Sequence, residues 1–224
     1  MASEGHGAAA PHTLSAKAER TREALLDAAR TVFEREGFLN ARVTDITTVA
    51  RVAHGTFYTY FPSKEAIFRE LVLRVQDDLA ASNSGPADGP PAERIWQANR
   101  AYVDAYLRNG AILCAFEQAA TIHPGIRQLR REVRRPYVER SVRSIRRWQA
   151  QGIADPVLDA VYTANALGAM VDRFMYTWVS LDEDFERDLA VTTLTRLWVQ
   201  ALGIRPSEEA VEEWILAGDG GRPV

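Results

Sequence analysis

Apolar residues recur at intervals of three and four along nearly the whole chain, and no alternating apolar–polar run bounded by turns appears. That spacing lines up one stripe of a helix, whereas a half-buried strand needs a period of two. The chain is therefore expected to be all-α. Leu25, Ala29, Val32 and Phe33 show the pattern first, and Gly37 follows where a left-handed helix end would sit. Thr44 is placed to cap a short second helix, with Asp45 in its first turn and Ile46, Val49 and Ala50 along it to about Arg51. A third short helix is expected over Gly55–Phe61. Pro62 and Ser63 then break the chain, and Ser63 caps a long helix from Lys64 to about Ala81.

Residues 82–91, SNSGPADGPP, hold no apolar side chain longer than Ala and mark a boundary. We expect a loose tail at 1–18, one unit at 19–81 and a second at 91–216. Helical patterns in the second unit lie near 91–108, 110–121, 124–151, 156–180 and 183–203, with a last amphipathic piece at 207–216. Pro124 and Pro156 suit helix starts, whereas Pro136 should kink or split its segment. With 224 residues, 46% of them hydrophobic, the chain can bury a substantial core. No run of eighteen apolar residues is present, and the N-terminus lacks the basic and apolar regions of a signal peptide. A cytoplasmic protein without membrane association is expected. The single cysteine, Cys114, allows neither an intrachain disulfide nor a thiolate metal cluster. A net charge of −3 gives no global sign of a nucleic-acid partner, so any sign must be local.

One local sign is 54-HGTFYTYFPSKEA-66. Two short helices preceded by a third make a helix-turn-helix, which lays its last helix in the major groove. On that helix Phe57 and Phe61 lie four apart and share a face, where they can bury against Val32, Phe33, Ile46 and Val49. Tyr58, Thr59 and Tyr60 then point elsewhere with hydroxyls suited to phosphate oxygens. Lys64 opens the next helix, and its ammonium adds to the positive helix end as a phosphate partner.

The text 22-REALLDAARTVFEREGF-38 and 43-VTDITTVARVAHGTFYTYFPSKEAIF-68 resembles the tetracycline-repressor (TetR) family of bacterial transcription regulators. The resemblance covers roughly residues 20–75 and rests on Gly-Thr-Phe-Tyr-x-x-Phe-x-x-Lys. It implies an N-terminal three-helix DNA-binding module, an all-helical C-terminal ligand-binding and dimerisation domain, and repression relieved by a small molecule. Thr44, Thr56, Tyr58, Tyr60 and Lys64 match positions that commonly touch DNA. Thr59 occupies a variable recognition-helix position, and Arg42 and His54 are further contact candidates. Relatives often carry Gly where Arg51 stands, so a modified or mildly strained turn is expected. They also often carry Ser or Thr where Ala53 stands, and Ala53 cannot cap.

Between Val157 and Val179 the only charges are Asp159, Asp172 and Arg173. A helix this apolar must be covered on most sides, and a second copy of the chain is an economical cover. The helices near 156–180 and 183–203 are expected to form the homodimer as a four-helix bundle, with Ala164, Gly168 and Ala169 permitting close approach. Large rings at helix junctions leave apolar space for a small molecule. Candidate effector contacts are Tyr102, Tyr106, Phe116, Trp148, Asn165, Met170, Phe174 and Trp178. Residues 124–150 carry nine arginines against two glutamates, a net +7. This is either a solvated face or a receiver of an anionic effector such as an acyl-coenzyme A, so the effector is expected to be hydrophobic or anionic.

No catalytic constellation, glycine-rich phosphate loop or metal-ligand spacing appears, so neither an enzyme nor a cofactor is expected. A ligand-responsive repressor of a DNA operator is the reading carried forward. A helical carrier or interaction protein with no DNA target stays open on these residues.

Overall fold

The hydroxyl of Ser15 accepts from the Ala18 amide and starts the first helix, α1 (Ala16–Asn40). The computed structural model describes residues 15–82, 89–208 and 214. The tail up to residue 14, most of the 82–91 seam, and all of 207–216 except Ser207, Glu208 and Trp214 lie outside the described residues. After α1 come α2 (Val43–Val49), α3 (His54–Tyr60), α4 (Lys64–Ser82), α5 (Pro91–Ile122), α6 (Pro124–Ala150), α7 (Ala160–Ser180) and α8 (Arg187–Ala201). The described residues contain no strand, as the periodicity requires.

Several boundaries depart from expectation. The loose tail was expected to reach residue 18, but Ala16–Ala18 are already helical. Gly37 does turn left-handed at φ +70°, and a last helical stretch follows it to Asn40. Thr44 does not cap α2; it lies inside the first turn. Arg42 is the N-cap, its amide donating to the Asp45 carboxylate at 3.2 Å. Pro156 sits in a turn, and α7 starts after Asp159, whose carboxylate accepts from the Val161 and Tyr162 amides. Pro136 does not split α6, which is one helix across it. The break expected near Asn109–Gly110 is absent because both residues are buried inside the unbroken α5. A Cβ on Gly110 would lie 2.6 Å from Val179 Cγ1, so this glycine sets how closely α7 approaches α5.

Helix α5 is the spine, packed against α1, α4, α6, α7 and α8. Phe33, Phe57, Phe68, Ile112, Leu129, Ile145, Met175 and Leu194 are all fully buried. They belong to a core that continues from the N-terminal helices into the C-terminal ones. Helix α4 is tied to both sides: Arg74 pairs with Glu23 of α1 at 2.6 Å, and Arg69 with Glu132 of α6 at 2.8 Å. A polar junction joins α1, α4 and α5, where Asn109 accepts from Arg30 at 2.9 Å and donates to Asp78 at 3.0 Å.

Of the small residues of α7, Ala164 and Gly168 are buried within the protomer, Gly168 beside Tyr137 of α6, while Ala169 is exposed and lines the cavity described below.

Candidate nucleic-acid interface and effector cavity

Helix α3 sorts its side chains by depth. Phe57 is fully buried and Phe61 nearly so, with ring centroids 5.9 Å apart. Val49, expected beneath them, is exposed instead. Tyr58 is 52% exposed, and Thr59 and His54 are exposed beside it. The His54 ring meets the Tyr58 ring edge-on at 5.4 Å. On α2, Arg42 and Thr44 are exposed. Arg42, Thr44, His54, Tyr58 and Thr59 thus offer donors to a partner outside the chain. Thr56 is half-buried, and Tyr60 is half-buried and packed on the core, so both offer less.

Lys64 does not present a free ammonium. Its Nζ donates to the carbonyls of Phe38 at 2.8 Å, Leu39 at 3.3 Å and Ala41 at 2.9 Å, and lies 4.7 Å from the Phe38 ring centre. An ammonium has three donors, and all three are used on the end of α1. Burial holds its pKa below the ordinary lysine value. The expected phosphate contact gives way to a clamp, because the carbonyls left over at a helix end attract a cation.

The turn between α2 and α3 is left-handed at Arg51, φ +55°, as its departure from glycine implied. Ala53 begins α3 without a side-chain cap.

A cavity of about 680 Å³ lies among α4, α5, α6 and α7, with Leu39 at the end of α1 also on its wall. Three of the eight effector candidates line it: Tyr102, Tyr106 and Phe116. Trp148 is buried with the Arg94 guanidinium over its ring, away from the lining. Asn165 is also outside the lining and accepts from Arg134 at 2.8 Å. Met170, Phe174 and Trp178 do not reach the cavity either. Phe174 and Trp178 instead pack with Phe185, 4.9 Å and 6.0 Å from its ring. For Phe174 and Trp178 the cause is that ring content alone does not say which side of α7 a ring takes.

The lining that residue content missed is polar. Tyr137, Tyr176, Asp172, Glu117, Arg130, Arg134, Arg140 and Arg173 all reach the cavity. A signal for two of them was present, since Asp172 and Arg173 are rare charges on an apolar helix. The Tyr102 hydroxyl donates to Asp172 at 2.8 Å. Burial raises the Asp172 carboxyl above the usual range against the opposing effect of that hydrogen bond. Burial first, and then Asp172, push Tyr102 well above its ordinary value, and burial raises Tyr137 to about 12. These phenols are therefore donors at neutral pH. Arg130 is paired with Glu117 at 2.7 Å. Among the described residues, Arg134, Arg140 and Arg173 form no ion pair; Arg140 lies over Tyr137 and Arg173 over Tyr176. The described residues hold no cluster able to bind a metal, and no helix long and apolar enough to cross a membrane.

Residues 25–71 match the family described as bacterial regulatory proteins, tetR family, and residues 95–203 match the C-terminal domain of the transcriptional regulator EthR. The chain is 25% identical over 185 residues to the HTH-type transcriptional regulator EthR of Mycolicibacterium smegmatis, covering 80% of this chain and 84% of that one. Its fold matches a TetR-family transcriptional regulator from Syntrophomonas wolfei with a TM-score of 0.70 at 21% identity, over 84% of this chain and 97% of the other. A transcriptional regulator from Saccharomonospora viridis, solved in complex with choline, matches with a TM-score of 0.69 at 21% identity, over 81% and 96%.

Proposed function

The chain belongs to the tetR family of bacterial regulatory proteins, and from that premise we propose that it is a homodimeric repressor which a small molecule in its C-terminal cavity releases from DNA. The family is one of DNA-binding transcription regulators, not of enzymes. The observation that carries the proposal is the wall of the cavity. Leu39 of α1 and Gln76, Leu79 and Ala80 of α4 line it together with residues of α5, α6 and α7. An occupant would therefore touch the DNA-binding unit directly. Leu39 also gives its carbonyl to Lys64, so a shift there is passed to the start of α4 and the segment leading into α2. A ligand that favours one arrangement by about 1–3 kcal/mol changes operator affinity by the family's usual kind of coupling.

For the duplex, Tyr58 and Thr59 of α3 would enter the major groove while Arg42 and Thr44 of α2 meet phosphates, with His54 beside them. For the partner copy, Met170, Phe174 and Trp178 on α7 continue into exposed Leu181, Phe185, Leu189 and Leu197. This apolar stripe along α7 and α8 supports a two-fold four-helix contact.

For the effector, the lining follows α5 from Tyr102 to Ile122, about 30 Å of helix axis. The volume is spread along that length, which favours a slender apolar chain. Arg134, Arg140 and Arg173 favour an anionic head. That the Saccharomonospora viridis relative holds choline supports a small-molecule site in this fold.

The test selects duplexes from a random pool with the full chain, then titrates the complex with palmitate, palmitoyl-coenzyme A and hexadecylamine. Salt-dependent binding, released by the anions and not by the amine while the dimer persists, is expected. A protein that selects no duplex, or an effector that acts only by splitting the dimer, defeats the proposal.

A further inference from the structure

Among the described residues, and besides Gly37 within α1, the backbone turns left-handed at a single residue just past the ends of four helices: Arg51, Gly152, Asp182 and Gly203. Three of them share one hydrogen-bond pattern. At Gly152 the amide donates to the Gln149 carbonyl and the next amide, Ile153, to Trp148. At Gly203 the amide donates to Gln200 and Ile204 to Val199. At Arg51 the amide donates to Thr48 at 3.2 Å and Val52 to Thr47 at 3.1 Å. This is the Schellman end, in which the left-handed residue is usually glycine because a Cβ is disfavoured there. The end of α6 and the end of α8 use glycine; α2 uses arginine in the same geometry. The hydrogen bonds of the turn come from the backbone, so glycine would keep them all.

The arginine side chain gains nothing inside the protein to offset this. Arg51 is exposed, and among the described residues its guanidinium has no hydrogen bond, ion pair or ring contact. A left-handed residue kept against its preference, with a solvent-facing cation, points outward for its reason. The opposite end of α2 matches it: Arg42 is also exposed, and among the described residues its guanidinium forms no ion pair. The seven residues of α2 between the two arginines span about 10.5 Å of helix axis, comparable with the ≈12 Å width of the major groove.

We propose that Arg51 is a phosphate-contact residue that works with Arg42, the two guanidiniums at either end of α2 holding the two backbones that flank the groove. This rests on the DNA-binding reading. The contact positions the recognition helix and carries no sequence information.

The test is Arg51→Gly, with Arg51→Lys beside it, in the full dimeric chain. Anisotropy titrations use the duplex selected by the wild type and a scrambled duplex of equal length, from low to high salt. Arg51→Gly should melt no lower than wild type, since it relieves the turn. Its affinity should fall roughly 5–20-fold on both duplexes, and the slope of log K against log salt should shrink by about 1.8, one phosphate per protomer. Arg51→Lys should keep the slope. Unchanged affinity in Arg51→Gly overturns the assignment, as does a lowered melting temperature, which would give the guanidinium a role inside the fold. A loss confined to the selected duplex would make it a base reader and overturns the phosphate contact. A wild type that selects no duplex overturns this proposal and the DNA-binding reading together.

Discussion

Replacing Lys64 by Met keeps the aliphatic stem over Phe38 and removes the ammonium that reaches three carbonyls at the end of α1. A hydrogen bond from a charged donor contributes about 1.5–3 kcal/mol, so three would nominally give several. Two effects cut the sum. The ammonium is half-buried, and the desolvation that lowers its pKa opposes the folded arrangement. Fixing the long side chain also forfeits up to about 2 kcal/mol of rotamer entropy. The net loss should be near 2 kcal/mol, which for a chain of this size lowers the melting temperature by about 4–8 °C. Thermal unfolding followed by circular dichroism at fixed protomer concentration reads this directly. Weaker DNA binding should accompany the loss, since the clamp sets the segment before α2. A melting temperature within about 1 °C of wild type, together with at least a tenfold loss of duplex affinity, would refute the clamp and return Lys64 to a phosphate.

Gly110→Ala should destabilise the chain by about 1–3 kcal/mol through its clash with Val179; denaturant titration should show Val179→Ala restoring part of the loss in the double variant. The Asp172 carboxyl has a folded-state pKa above its unfolded value, so the folded chain holds the extra proton and stability falls as pH rises from about 4 through the folded pKa. Asp172→Asn should flatten that fall in urea titrations across the window, and an unchanged slope would contradict the burial. Leu189→Glu with Leu197→Glu should yield monomers by sedimentation if α8 lies in the dimer contact. Tyr58→Phe should weaken duplex binding by about 1 kcal/mol, and Tyr60→Phe by less, because Tyr60 packs on the core.

Period and punctuation made the helices legible. Phe57 and Phe61 four apart, Gly37 at a left-handed turn and the Ser63 hydroxyl oxygen accepting from the Ala66 amide are local facts, and each appears in the structure. What failed to read depends on distant partners. Gly110 looks like a breaker until Val179 is beside it. Lys64 looks like a free charge until three carbonyls from residues 38–41 arrive beneath it. The cavity was half legible for the same reason. Ring-rich positions on α5 were found, but Phe174 and Trp178 face Phe185, and the charged lining from α6 needed the helix rotation to be seen. The three charges of 157–179 were the better guide, since Asp159 caps α7 and the other two reach the cavity.

The account depends most on α3 burying Phe57 and Phe61 so that Tyr58 and Thr59 of two copies face one duplex. Hydroxyl-radical footprinting of the selected duplex measures this. Two protected patches on one face of the helix, centred one helical turn of about 10–10.5 base pairs apart or a whole multiple of it, are predicted. A single patch, or two on opposite faces, would contradict it.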